Sequence, residues 1–112
     1  MSEYLFLYRG GSRPESPAEG EQIMQKWMNW MKDLEQKGHL KDRGQPLEPG
    51  QGKVVRGKQQ TITDGPYAES KDVVGGYTLV EANDLAQAAE LSKGCPIFER
   101  DGTVEVRPIM QM

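Results

Sequence analysis

The stretch EYLFLYR, residues 3–9, decides the fold of this chain. Its centre, Tyr4 to Tyr8, runs without a polar break, so a β-strand formed there has two apolar faces. A half-solvated antiparallel strand needs only one apolar face. We therefore expect one face to meet helices and the other face to be covered as well, most simply by a second subunit.

Two helices are predicted downstream of that strand. Ser16-Pro17-Ala18-Glu19 supplies a capping serine, a proline in the first turn and a reciprocal glutamate. An apolar stripe at helical spacing follows and ends before Gly38, and we expect all of it to be core. The stripe consists of Ile23, Met24, Trp27, Met28, Trp30, Met31 and Leu34. A second helix is predicted over residues 84–93, with Leu85, Ala88, Ala89 and Ser92 facing inward.

Further strands complete the pattern. They are predicted over residues 53–56, 59–63, 76–81 and 103–110. In the last strand, alternation places Val104 and Val106 on one face and Glu105 and Arg107 on the other. The order β-α-β(β)-β-α-β predicts an α+β fold: a ferredoxin-like antiparallel sheet with two helices on one face. Its other face would border a pocket closed by a second subunit.

Composition narrows the class of protein. At 112 residues the chain fits one domain, predicted to span residues 1–112, and it can bury a core without metal or disulfide staples. A net charge of −3 argues against a nucleic-acid surface, which needs clustered Lys and Arg. No apolar run reaches the roughly 18 residues that cross a bilayer, so no membrane partner is expected.

The cysteine and histidine content restricts the class of protein and its compartment further. The single cysteine, Cys95, excludes an internal disulfide and suits a reducing compartment. The start, Met1-Ser2-Glu3-Tyr4, lacks the basic region and cleavage site of a signal peptide. We therefore expect a cytoplasmic protein. One histidine and one cysteine leave mainly carboxylates as metal ligands, so neither a metal site nor a cofactor is expected.

The segment DGPYAESK, residues 64–71, is the predicted functional centre. Asp-Gly-Pro is a turn sequence, so Asp64 is either the cap of a short helical turn or a member of a site. If the turn is helical, Tyr67 and Lys71 share a face, and the ammonium would lower the pKa of the phenol and make it a proton donor. For Glu69 and Lys71 the simpler interpretation is a solvated charge pair.

The same segment carries a family resemblance. Followed by Gly75-Gly76-Tyr77, it resembles the signature of the YCII-related family, in its DGPF-domain branch. The opening strand and residues 38–40, 46–47 and 104–108 agree with such proteins too, so the resemblance spans nearly the whole chain. Tyr67 departs from the more usual Phe by one hydroxyl.

The resemblance implies a dimeric α+β barrel, in which two ferredoxin-like sheets close over a shared interior. It also implies kinship with muconolactone-isomerase-like enzymes and an acid/base site built on His and Asp. Smaller members have that histidine just after the first strand, where this chain has Tyr8-Arg9-Gly10-Gly11 instead. DGPF-type proteins are also linked to regulation alongside alternative sigma factors.

Two more residues are candidates for the site. His39 follows the helix-ending Gly38, where it either favours the helix dipole or acts as a general base with Asp64. Arg107 lies on the face opposite Val104, where a guanidinium inside a barrel would hold a carboxylate or phosphate.

These residues support three hypotheses. The first is isomerase- or lyase-like acid/base chemistry on a small oxygenated substrate at the interior of a homodimer. Its catalytic residues would be Asp64, His39 and Tyr67, and its substrate-binding residues Arg107, Lys71 and Glu69. The second is a non-catalytic metabolite-binding or regulatory module associated with transcriptional (sigma-factor) signalling. In the third, the motif only holds the dimer together.

Overall fold

The computed structural model describes residues 1–66 and 72–112. The elements are β1 (Ser2–Gly10), α1 (Pro17–Gln36), β2 (Leu40–Asp42), β3 (Lys53–Arg56), β4 (Thr61–Asp64), β5 (Val74–Ala82), α2 (Leu85–Ser92), a 3₁₀ helix (Pro96–Arg100) and β6 (Gly102–Pro108). An antiparallel sheet of four strands has the order β2-β5-β1-β6, while β3 and β4 form a separate hairpin. The predicted α+β, ferredoxin-like fold is confirmed, with the hairpin inserted between β2 and β5.

The first strand has two apolar faces, as its sequence predicts. Tyr4, Phe6 and Tyr8 are buried, while Leu5 and Leu7, on the opposite face, are half-buried. We call this opposite side of the sheet the open face. Strand pairing and alternation place on it Glu3, Leu5, Leu7, Arg9, Tyr77, Leu79, Glu81, Glu105 and Arg107. Closure of the open face by a second subunit stays a prediction.

The core lies between the sheet and the helices. Phe6 and Val80 are fully buried, Leu34 of α1 is nearly so, and the rings of Phe6 and Trp30 stack with centroids 6.2 Å apart. Burying a side chain of this size contributes about 1.5–3 kcal/mol to stability. Ala88 of α2 is fully buried in the same core, so both helices cover one face of the sheet.

Helix α1 begins and ends where the sequence predicts. The Ser16 hydroxyl accepts a hydrogen bond from the backbone N–H of Glu19 at 3.1 Å, and Pro17 occupies the first turn. After the last helical residue, Gly38 has a φ of +79°, a left-handed conformation that favours glycine. Both ends are thus fixed by local chemistry.

The apolar stripe of α1 is only partly core. Trp30 and Met31 are buried, but Met24 and Met28 are 59% and 49% exposed. The prediction that the methionines are core is wrong for these two, because the first half of α1 borders a cavity at the end of the sheet.

Other elements correct the sequence analysis in detail. In α2, Ala88 and Ser92 are buried as predicted, but Leu85 and Ala89 are exposed, because this short helix turns only a narrow stripe inward. The 3₁₀ helix after Cys95 was not predicted. Asp64 is the last residue of β4, so it belongs to a strand and not only to a turn.

The connection after β2 follows the edge of β5 closely. Pro46 bridges to Gly76, and the backbone N–H of Leu47 donates to the Gly75 carbonyl at 2.9 Å. Gly44 has a φ of +71°, and a Cβ there would lie 1.8 Å from the carbonyl oxygen of Tyr77. This position therefore requires glycine for both its dihedral angle and its space.

Within the described residues, no helix combines the length and the apolar character needed to cross a membrane.

Candidate functional site

The candidate functional site lies at the end of the sheet where β1 stops and β5 begins. Strand alternation directs Tyr8 toward α1 and Arg9 toward the open face, and a separate cavity borders each of them. The larger one, which we call the α1 cavity, has a volume of about 530 Å³. Its helix side is formed by Ile23, Met24, Trp27, Met28 and Met31. The connections after β1 and β2 form its mouth, and Tyr8 and Thr78 form its buried floor.

Arg100 fixes one wall of the α1 cavity. Its guanidinium donates hydrogen bonds to Glu19 Oε1 at 2.5 Å, to the Ser12 carbonyl at 3.0 Å and to the Arg13 carbonyl at 2.6 Å. The backbone N–H of Ser12 in turn donates to the Arg100 carbonyl at 2.8 Å. The connection between β1 and α1 is therefore tied to the 3₁₀ helix and to the first turn of α1.

The floor of the α1 cavity is a short hydrogen-bonded chain. The Tyr8 hydroxyl donates to Thr78 Oγ1 at 2.7 Å, and the Thr78 hydroxyl donates to the Arg43 carbonyl at 2.9 Å. The ring of Trp27 meets the ring of Tyr8 edge-on, with centroids 4.8 Å apart. Burial raises the pKa of Tyr8 well above its ordinary value, because the phenolate would lose its hydration. The phenol is therefore neutral at physiological pH.

A second cavity, of about 430 Å³, lies beside Arg9, and we call it the Arg9 cavity. The Arg9 guanidinium is 3.1 Å from Glu105 Oε1 and donates to the Asp72 carbonyl at 2.6 Å. Pro66 and Asp72, which both line this cavity, flank the segment 67–71. The described residues on either side of 67–71 therefore both border the Arg9 cavity.

Asp64 is an exposed residue outside both cavities. Its carboxylate is 2.6 Å from Lys53 Nζ, its side chain is 89% exposed, and it lines neither cavity. Lys53 pairs with Asp64 across the hairpin, so the contact is an exposed cross-strand ion pair. The predicted helical turn and the roles of Tyr67, Glu69 and Lys71 lie outside the described residues.

His39 joins the end of α1 to the end of β5. Its ring Nδ1 donates to the Glu81 carbonyl at 2.8 Å, and its backbone N–H donates to the Leu34 carbonyl at 2.9 Å. Glu81 and Val74 are seven residues apart in β5, which is roughly 23 Å of strand. Because Val74 and Pro66 line the Arg9 cavity, His39 lies at the opposite end of the strand. The structure does not bring His39 to Asp64, and a catalytic role for either residue stays a prediction.

Arg107 lies on the open face, as its alternation with Val106 predicts. Its side chain is 64% exposed, and its Nη1 is 3.3 Å from Glu105 Oε2. Glu105 also pairs with Arg9, so the three side chains form a charged row beside Leu5 and Leu7. Arg107 lines neither cavity. Its role in binding an anion stays a prediction.

Sequence reasoning missed Tyr8 and Thr78 as site residues. Both are buried residues on the inward face of strands that the sequence predicted, but neither was singled out for a role. The available signal was Thr78 itself, because a hydroxyl on the inward face of a buried strand needs a hydrogen-bond partner. Tyr8, on the neighbouring strand, supplies it.

Comparison with known proteins gives a family match. The family model of the YCII-related domain matches residues 4–112, nearly the whole chain. No curated protein matches the chain.

Proposed function

The chain belongs to the YCII-related family, and from that premise we propose that it is a small-molecule-binding domain whose ligand lies in the α1 cavity. The volume of about 530 Å³ is within the range of ligand pockets. Such pockets combine an apolar wall with a few fixed polar groups. Here the wall is the methionine-rich side of α1, and the fixed polar groups are the hydroxyls of Tyr8 and Thr78.

One observation carries this proposal: Met24 and Met28 line the cavity and are nevertheless about half exposed. Large apolar side chains left in water at the rim of a cavity are typical of a surface that a ligand covers. Methionine is flexible and polarisable, so it adapts to ligands of different shape. The fixed wall at Arg100 and the adaptable wall at α1 together favour binding of a mostly apolar molecule.

The experiment is a titration followed by NMR of ¹³C-labelled methionine methyl groups. The chain has six methionines, of which Met24, Met28 and Met31 line the cavity. Tetralin, a compact apolar bicyclic molecule, should shift the methyl signals of these three and leave those of Met110 and Met112 unchanged. Equal shifts at all methionines, or none at the cavity, would contradict the proposal.

A matched pair of variants tests the location. Met28→Trp should fill the mouth of the cavity and weaken tetralin binding, because the larger ring occupies the space of the ligand. Met110→Trp makes the same change at a position that is 81% exposed and outside the cavity, so it should bind tetralin like the wild type. Equal affinity in the two variants would place the ligand elsewhere.

Acid/base chemistry of the isomerase or lyase type is the second candidate. The Arg9 cavity favours it, because Pro66 and Asp72, the described residues on either side of 67–71, both line this charged pocket. Against it, Asp64 is ion-paired to Lys53 in solvent. Metabolite-dependent melting of the wild type and of Asp64→Ala separates the roles: a variant that keeps its assembly but loses the response would support a site at Asp64, and turnover would then be needed to assign an enzyme.

We also propose that the open face pairs with a second copy into a dimeric α+β barrel. The half-buried apolar side chains of Leu5, Leu7 and Leu79 support this pairing, and the charged row at Glu105 would set its register. Without turnover, such a dimer with two filled α1 cavities would be a metabolite-responsive module for transcriptional (sigma-factor) signalling.

A further inference from the structure

In the hydrogen bonds at the floor of the α1 cavity, the donor and the acceptor are fixed. A threonine hydroxyl has one proton, and a backbone carbonyl can only accept. Because Thr78 Oγ1 lies 2.9 Å from the Arg43 carbonyl oxygen, the threonine hydroxyl donates its proton to that oxygen. The proton between Tyr8 and Thr78, whose oxygens are 2.7 Å apart, must then come from Tyr8. Both hydroxyl protons are therefore used inside the protein.

What the floor offers a ligand is therefore an acceptor. The Tyr8 oxygen keeps lone pairs after donating its proton, and Tyr8 is one of the residues that line the cavity. A ligand carbonyl or carboxylate placed against it would meet a second acceptor and lose its own hydrogen bonds to water. The polar side chains of Ser12 and Gln45 lie at the exposed mouth, where water competes with them.

The charge of the ligand is also restricted. Burial keeps Tyr8 protonated at physiological pH, so its oxygen is a neutral acceptor and not a phenolate. None of the described side chains that line the α1 cavity is a carboxylate that could pair with a cation. Two arginines line the cavity, and both are paired: Arg100 donates to Glu19 and to two backbone carbonyls, and Arg43 Nη2 is 3.3 Å from Glu35 Oε2.

We infer that the ligand is a neutral, mostly apolar molecule with a hydrogen-bond donor, an alcohol, phenol or N–H group, that it directs at the Tyr8 oxygen. The inference rests on the proposed function of the α1 cavity and adds the chemical class of its ligand. Apolar contacts with α1 supply affinity, and the donor sets orientation and selectivity.

Three bicyclic probes with one skeleton test it: 1-tetralol carries a donor, 1-tetralone only an acceptor, and tetralin neither. Calorimetric titration should give the wild type a roughly three- to tenfold preference for the alcohol over the ketone, the size of one net hydrogen bond. In Tyr8→Phe this ratio should fall toward one. Tyr4→Phe is the matched control, because Tyr4 is equally buried on the same face of β1 but does not line the cavity.

Thr78→Val gives a second test, because it should reduce the preference for the alcohol. Valine has nearly the shape of threonine but accepts no hydrogen bond, so the Tyr8 proton becomes available to the ligand. The variant should bind the ketone more tightly relative to the alcohol than the wild type does. If this variant does not fold, the comparison of Tyr8→Phe with Tyr4→Phe decides alone.

The outcomes separate the two proposals. Binding of tetralin without preference for the alcohol, or a preference that survives Tyr8→Phe, would overturn the inference and leave the α1 cavity as a ligand site. No binding of any of the three probes would overturn both.

Discussion

Among single residues, Gly44 carries the most demanding constraint, because the chain after β2 passes directly over the carbonyl of Tyr77. The same contact holds one side of the α1 cavity, which Gly44 lines. Gly50, six residues later, has a similar φ of +76°, but a Cβ there would meet nothing within 4 Å. Substitution of Gly50 therefore measures the free-energy cost of the left-handed conformation alone. Substitution of Gly44 adds the cost of a steric clash.

Gly44→Ala should lower the free energy of unfolding by more than Gly50→Ala does. In the second variant the left-handed conformation alone costs about 1–2 kcal/mol. In the first, the collision of Cβ with the Tyr77 carbonyl adds to that cost and forces the edge of β5 to move. Urea denaturation of both variants measures the difference, and equal losses would contradict the close approach at Gly44.

Two buried acids predict a pH dependence of stability. Burial raises the pKa of the Cys95 thiol from its ordinary 9.0 to about 12, and it raises the pKa of Tyr8 as well. Both groups stay protonated in the folded chain at pH values where the unfolded chain releases protons. Their contribution is complete below the ordinary pKa and is lost as pH rises toward the folded pKa.

We therefore expect the free energy of unfolding to fall above about pH 9, by up to about 1.4 kcal/mol per pH unit for each group. Cys95→Ala should flatten the decline between pH 9 and the folded pKa of about 12. Guanidinium melts at a series of pH values measure the slope. A slope that is the same in the variant and in the wild type would show that Cys95 titrates alike in both states.

At the scale of helices and strands, the sequence predicts those features that neighbouring residues determine. The cap at Ser16, the stop at Gly38 and the placement of Val104 and Val106 against the core are each decided within a few residues, and all are confirmed. The exposure of Met24 and Met28 could not be predicted, because it depends on where α1 leaves the sheet. The contacts that decide it join residues distant in sequence, such as Arg100 and Glu19.

Arg100→Gln should lower the free energy of unfolding by about 2 kcal/mol, because hydrogen bonds to charged groups contribute roughly 1.5–3 kcal/mol. The variant loses the guanidinium hydrogen bonds that join the 3₁₀ helix to α1 and to the connection after β1. Arg107→Gln is the matched control, since its exposed contact with Glu105 should be worth less than about 1 kcal/mol. Thermal melts that rank the variants in the opposite order would contradict the role of Arg100.

At the scale of the whole molecule, sequence predicted a site at residues 64–71 and not the α1 cavity, which none of the described residues of that segment lines. Pro66 and Asp72, on either side of residues 67–71, line the Arg9 cavity instead. Sequence could not predict the hydrogen-bonded chain of Tyr8, Thr78 and the Arg43 carbonyl. The three residues come from separate segments, and only the folded sheet brings them together.

The molecule is a slab of about 46 × 44 × 18 Å, and its open face predicts the assembly. We expect light scattering to give twice the 12.6 kDa mass of one chain. Leu7→Lys should shift the mass toward that of one chain, because it places a charge at the centre of the proposed interface. Val55→Lys, which changes an exposed residue of the hairpin, should keep the larger mass. A single-chain mass for the wild type would refute the dimeric barrel.

The β3–β4 hairpin has a consequence for how the protein tolerates change. Its strands pair in a sheet of their own, so its length does not set the register of the four-stranded sheet. Lengthening a surface loop adds little to the cost of closing it. The turn at Gly57, with open space around it, is thus a natural place to graft a peptide tag or a reporter while the ligand cavity and the ferredoxin-like core stay intact.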